Sequence, residues 1–173
     1  MGAGYADQID ARLNRHLTIS WYVGGLPGQV IDAQREVLQL ASKWLSYHGV
    51  TPAYVWVIEN GPVLQYHSHI VIHVPKHLAK QFRQMVNRWV QRVGADPYAK
   101  GAIKMTADKY QRDDNHQSIR HLLRYILKGI DHQAAQLLGI TPDYEKAGLV
   151  LGKRCGTSQN LGKKARSQNG QLH

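Results

Sequence analysis

The chain has 173 residues, 43% of them apolar, with 22 Lys and Arg against 12 Asp and Glu for a formal net charge of +10. That length suits one domain with an appendage, the apolar fraction excludes wholesale disorder, and the single Cys excludes a disulfide scaffold or a Cys-rich zinc site. No apolar run approaches the ~18 residues of a membrane span, and Met1 to Ala6 carries no signal-peptide core, so the expected protein is soluble, cytoplasmic and without a membrane partner.

Strict alternation over Arg15–Val23 predicts a first strand, with Leu17, Ile19 and Trp21 on one face and His16, Thr18, Ser20 and Tyr22 on the other. After a Gly- and Pro-rich breaker, the apolar spacing of Val30–His48 predicts a long helix stopped by Gly49. Ala53–Asn60 and Gln65–Val74 read as a hairpin turned at Gly61-Pro62, and Pro75 ends its ladder. A second amphipathic helix is predicted over Leu78–Val93, a short strand over Ala102–Thr106 and a third helix over Ser118–Ile130. From Gly148 onward, Lys153, Arg154, Lys163, Lys164 and Arg166 stand among Gly, Ser, Asn and Gln with no acid. The expected organisation is an N-terminal arm over 1–14, a domain over 15–147 and a flexible basic tail over 148–173.

The order strand, helix, strand, strand, helix, strand is the split βαβ pattern, so the predicted fold is α+β: a ferredoxin-like antiparallel sheet with two helices on one face. The period of two then sends His16, Thr18, Ser20, His67, His69, His73, Lys104 and Thr106 to the other, open face. The Tyr-bearing third helix is expected near that His-rich face.

On strand three, His67 and His69 project from one face about 7 Å apart, close enough to converge on one divalent ion. Glu59, ending the preceding strand, lies across the hairpin from them. Two nitrogens and a carboxylate oxygen leave coordination positions free, as a catalytic metal requires. The same residues also fit a solvated His pair beside an ordinary strand-end Glu. On the third helix, Tyr125 lies off the apolar stripe of Ile119, Leu122, Leu123, Ile126 and Leu127, and Lys128 follows it at i+3. An ammonium there would assist a phenol whose ordinary pKa is about 10; a surface Tyr beside a surface Lys is the plainer alternative.

Taken together these motifs resemble the HUH nucleases, in particular the single-tyrosine rolling-circle replication initiators. The first motif looks like His16-Leu17-Thr18-Ile19-Ser20, the second is His67-Ser68-His69 with Glu59 on the neighbouring strand, and the third is Tyr125-Ile126-Leu127-Lys128. The resemblance spans about residues 15 to 130 and implies a Mg²⁺- or Mn²⁺-dependent cut in single-stranded DNA, at an origin hairpin or nick site. Glu59, His67 and His69 would hold the metal. Tyr125 would attack the phosphorus, keep a 5′-phosphotyrosine and release a 3′ hydroxyl, with Lys128 balancing charge near the phenol. His16, Thr18, Ser20, His73, Lys104, Arg120, His121 and Arg124 are the expected DNA contacts. A host helicase and polymerase would be further partners, because no ATPase motif is present.

The sequence departs from the family at two places. Ser68 replaces a bulky apolar residue and is expected to weaken packing, and His121 stands where two-tyrosine initiators have another Tyr. His73 is the expected substitute if Glu59 is not a ligand. Conjugative relaxases place the Tyr before the His cluster; small transposases share this order but tend to take a ligand from the Tyr helix, where Gly129 stands at i+4. From another class, a non-catalytic single-strand-binding domain would need aromatic residues at the centre of the open face. The basic tail is expected to add salt-sensitive affinity and to be dispensable for cleaving a short strand.

Overall fold

The computed structural model describes residues 6, 8–63, 65–107, 127–129, 132–139 and 141–169. Tyr125, Arg120, His121, Arg124 and most of the third predicted helix lie outside the described residues.

The protein is α+β, built on a five-stranded antiparallel sheet in the order β4-β1-β3-β2-β5. The strands are β1 Arg15–Ser20, β2 Tyr54–Gly61, β3 Gln65–Ile72, β4 Ile103–Ala107 and β5 Cys155–Thr157. The helices are α1 Val30–Tyr47, α2 Ala79–Arg92, α3 His132–Leu138, α4 Tyr144–Ala147 and α5 Lys163–Asn169. Among the described residues, no helix is long and apolar enough to cross a membrane.

Alternation in the strands and helical spacing in α1 and α2 bury one continuous core. Leu17, Ile19, Trp56, Ile58, Ile70 and Ile72 from the sheet meet Val37, Leu45, Phe82 and Trp89 from the helices. Trp21, fully buried in this layer, donates its indole N–H to the Ser68 hydroxyl at 2.6 Å. Ser68 therefore does not weaken the packing as expected; it supplies the acceptor that a buried indole requires.

The opposite face is not open. Val57 and Val71 pack there with Ala11 and Leu13 from the N-terminal segment and Leu161 from the C-terminal one, with Leu127 against the same cluster. Both ends of the chain thus differ from the expected arm and flexible tail. Cys155–Thr157 hydrogen-bonds along β2, Leu161 is fully buried, and Asn14 accepts from the Val74 amide at 2.9 Å. A window of Gly, Ser and Lys carries no period of its own, but one edge strand and one apolar anchor suffice when a sheet is already there to receive them.

Candidate metal centre

Register brings the site together. Across β2 and β3, Glu59 pairs with His67 and Val57 with His69; across β3 and β1, His67 pairs with Ser20 and His69 with Thr18. Directly opposed residues share a face of the sheet, so Glu59, His67 and His69 converge. All three are buried, at 1%, 3% and 5% exposure, beneath the segments that cover this face.

Glu59 Oε2 lies 3.2 Å from His67 Nε2 and 3.8 Å from His69 Nε2. Ligand atoms of the three residues all fall within 4.8 Å of one another. Two donors each about 2.1 Å from one ion stand about 3.0–3.4 Å apart, so this set needs only a small closure to bind one. The group could hold a metal ion.

The surrounding hydrogen bonds suit that role. His67 Nδ1 meets the Gln65 carbonyl at 2.7 Å. A carbonyl only accepts, so Nδ1 carries the proton and, in the neutral ring, the Nε2 lone pair faces a carboxylate oxygen. That opposition calls for a cation between them, either a proton or a metal ion. His69 Nδ1 lies 3.1 Å from His16 Nε2 and 3.3 Å from Thr18 Oγ1, which turns its Nε2 toward Glu59. Outer partners of this kind fix the orientation of a ligating imidazole.

Electrostatics keep Glu59 and His69 in ligand form. Burial alone would raise the Glu59 pKa, but hydrogen bonding with His67 and Lys128 and the Lys128 charge outweigh it and hold the carboxyl below its ordinary value. Burial lowers His69 to about 3, against the opposing pull of Glu59, so its ring is neutral near pH 7. Burial, with the Lys104 charge, also lowers His16.

Lys128 lies among the described residues, unlike Tyr125, and it meets the strand motifs. Its Nζ sits on the Glu59 carboxylate, 2.5 Å from Oε1 and 2.6 Å from Oε2, and the residue is buried. The lysine of the Tyr-x-x-Lys motif therefore shares one site with the strand motifs. Beside it opens a cavity of about 330 Å³ lined by Glu59, His67, Lys128, Lys146, Pro62 and Val63.

The expected DNA contacts divide. Lys104 is exposed on β4 and remains open to a strand. His16 and Thr18 are half-buried and act on His69 instead. Ser20 is buried, and its hydroxyl has no hydrogen-bond partner among the described residues. It is an orphaned oxygen beside His67, not a surface contact. His73 follows the end of β3, where its Nδ1 meets the Arg12 carbonyl at 2.6 Å, and Glu59 rather than His73 joins the His pair. The sequence reading missed Lys146 and Arg154 near the site, since neither has a local pattern that points there. Comparison with protein-family models, curated proteins and solved structures returned no match.

Proposed function

We propose that this protein nicks and rejoins single-stranded DNA through a tyrosine nucleophile and a divalent metal, as an HUH-type enzyme on a ferredoxin-like sheet. The strand order β4-β1-β3-β2, extended at one edge by β5, supports that finer description of the fold. The observation that carries the function is the meeting of Lys128 with Glu59, because it brings the lysine three residues after Tyr125 to the carboxylate beside His67 and His69.

A Mg²⁺ or Mn²⁺ ion on Glu59, His67 and His69 would polarise the scissile phosphate. The protein's own groups do the rest. Tyr125 gives its phenolic proton to a base and its oxygen forms the new bond to phosphorus, while the 3′ oxygen leaves and takes a proton. Rejoining reverses those steps without ATP, since the phosphotyrosine keeps the phosphodiester energy. Lys128 neutralises Glu59 and so limits negative charge where a phosphate must approach.

Initiation of rolling-circle replication of a plasmid or phage is the role we favour over transposition, because Gly129 offers no ligand where transposases tend to carry one. A purely binding sheet is less well supported: the centre of this face holds a buried carboxylate and imidazoles, not exposed aromatic rings. The test is to incubate the protein with randomised single-stranded oligonucleotides and Mn²⁺. A denaturation-resistant protein–DNA adduct is expected, absent with EDTA and absent in Tyr125→Phe. An adduct that survives both changes would overturn the proposal.

A further inference from the structure

We propose that Arg154 is a positioning residue that clamps the turn bearing Lys128 and thereby sets where the ammonium meets Glu59; its effect on catalysis rests on the function proposed above. The sequence places Arg154 in a DNA-binding tail, but its guanidinium turns inward. Nη1 donates to the Gly148 carbonyl at 3.0 Å and Nη2 to the Ala147 carbonyl at 3.1 Å. These carbonyls end α4, where the helix leaves acceptors without helical partners. The guanidinium fork fits two neighbouring acceptors, and an ammonium does not.

The other side of the guanidinium lies against Gly129, the residue after Lys128. A Cβ on Gly129 would fall 2.1 Å from Nη2, 2.4 Å from Cζ and 2.6 Å from the Ala147 Cβ. Only glycine allows so close an approach. On the other flank, the Asp143 amide donates to the Lys128 carbonyl at 2.8 Å. The turn is thus held between α4 and Arg154, and the Lys128 side chain reaches Glu59 from that fixed backbone.

The clamp is itself anchored to β2. Gly148, with φ of 64°, forms a bridge to Asn60, whose side-chain amide donates to the Leu149 carbonyl at 3.2 Å. A Cβ on Gly148 would come within 1.7 Å of the Asn60 carbonyl oxygen. Asn60 is the residue after Glu59, so β2, α4 and the Lys128 turn are tied together within one residue of the carboxylate. Arg154 O in turn accepts from the Ile58 amide at 2.8 Å, on the other side of Glu59.

The full chain is compared with Arg154→Ala and Arg154→Lys in two measurements. The first is the slowly exchanging ¹⁵N ammonium resonance expected of a buried Lys128, assigned by its loss in Lys128→Met. The second is the kcat and KM for nicking a short strand. We expect Arg154→Ala to lose the resonance and at least tenfold in kcat, with KM within threefold, and millimolar guanidinium to restore both. Arg154→Lys should keep the chain folded and give partial values. Lys128→Met with Arg154→Ala should be no slower than Lys128→Met alone, as expected of two residues acting through one contact. A rise in KM with kcat and the resonance unchanged would overturn the proposal and return Arg154 to a DNA-contacting role. If the wild-type protein nicks no strand yet shows the resonance, the proposed function fails and the resonance alone decides the clamp.

Discussion

Lys128 and Glu59, 69 positions apart in the chain, form a buried ion pair in which one ammonium touches both carboxylate oxygens, at 2.5 and 2.6 Å. Neither charge is stable there alone. Taking an ion out of water costs several kcal/mol, and this pair offsets that cost only while both members remain.

Removing Lys128 should therefore destabilise the protein. Lys128→Met is expected to lose about 3 kcal/mol in EDTA, read by urea denaturation, because Glu59 is left buried without its cation. Saturating Mn²⁺ should stabilise this variant more than the wild type, since the metal then supplies the missing positive charge. A loss below about 1 kcal/mol, the range of exposed pairs, would show that Glu59 is not charge-compensated by Lys128.

Metal affinity should follow the geometry of the donors. Glu59→Gln is expected to weaken Mn²⁺ binding, measured calorimetrically, by more than about 100-fold, and His16→Ala by about 10-fold through loss of the hydrogen bond that orients His69. Equal effects at both positions would contradict the division into ligand and outer partner.

Acid should unfold the metal-free protein early. His69 is held near 3 when folded and returns to an ordinary value near 6.5 when unfolded. Below 6.5 the unfolded chain therefore takes up a proton that the folded chain refuses, and stability falls at up to about 1.4 kcal/mol per pH unit until about pH 3. The lowered Glu59 adds loss in the same direction, fully present as stability above the ordinary carboxylate range and lost below it. Denaturation midpoints in EDTA should drop from pH 7 to pH 4, and His69→Asn should flatten that slope; a flat profile in the unaltered protein would contradict the burial of His69.

The C-terminal segment should behave as structure. Leu161→Ala is expected to cost about 2–4 kcal/mol, as deletion of a fully buried leucine does, and ending the chain before Cys155 should cost more by removing β5. A truncated chain with unchanged stability and unchanged cleavage would restore the view of residues 148–173 as a dispensable tail.

Strand alternation, the spacing of α1 and α2 and the Gly61-Pro62 hairpin were all readable because each is local. Sharing a face follows from parity along a strand, so the convergence of His67 and His69 was legible too, and Glu59 needed only the hairpin register. What escaped the sequence was long-range. Nothing near Leu161 says that it will cover a sheet, nothing near Arg154 says that its guanidinium will sit on Gly129, and the partner of Lys128 lies on a strand formed much earlier in the chain. The same blindness made the second face look open: His69 reads as a surface histidine until the two chain ends are laid over it.

The most direct measurement is a peptide map of the protein after reaction with single-stranded DNA and Mn²⁺ and digestion of the DNA. The account predicts a 5′-phosphonucleotide mass on the peptide carrying Tyr125, absent when EDTA is added before the DNA. The same mass on another residue, or its formation in EDTA, would contradict it.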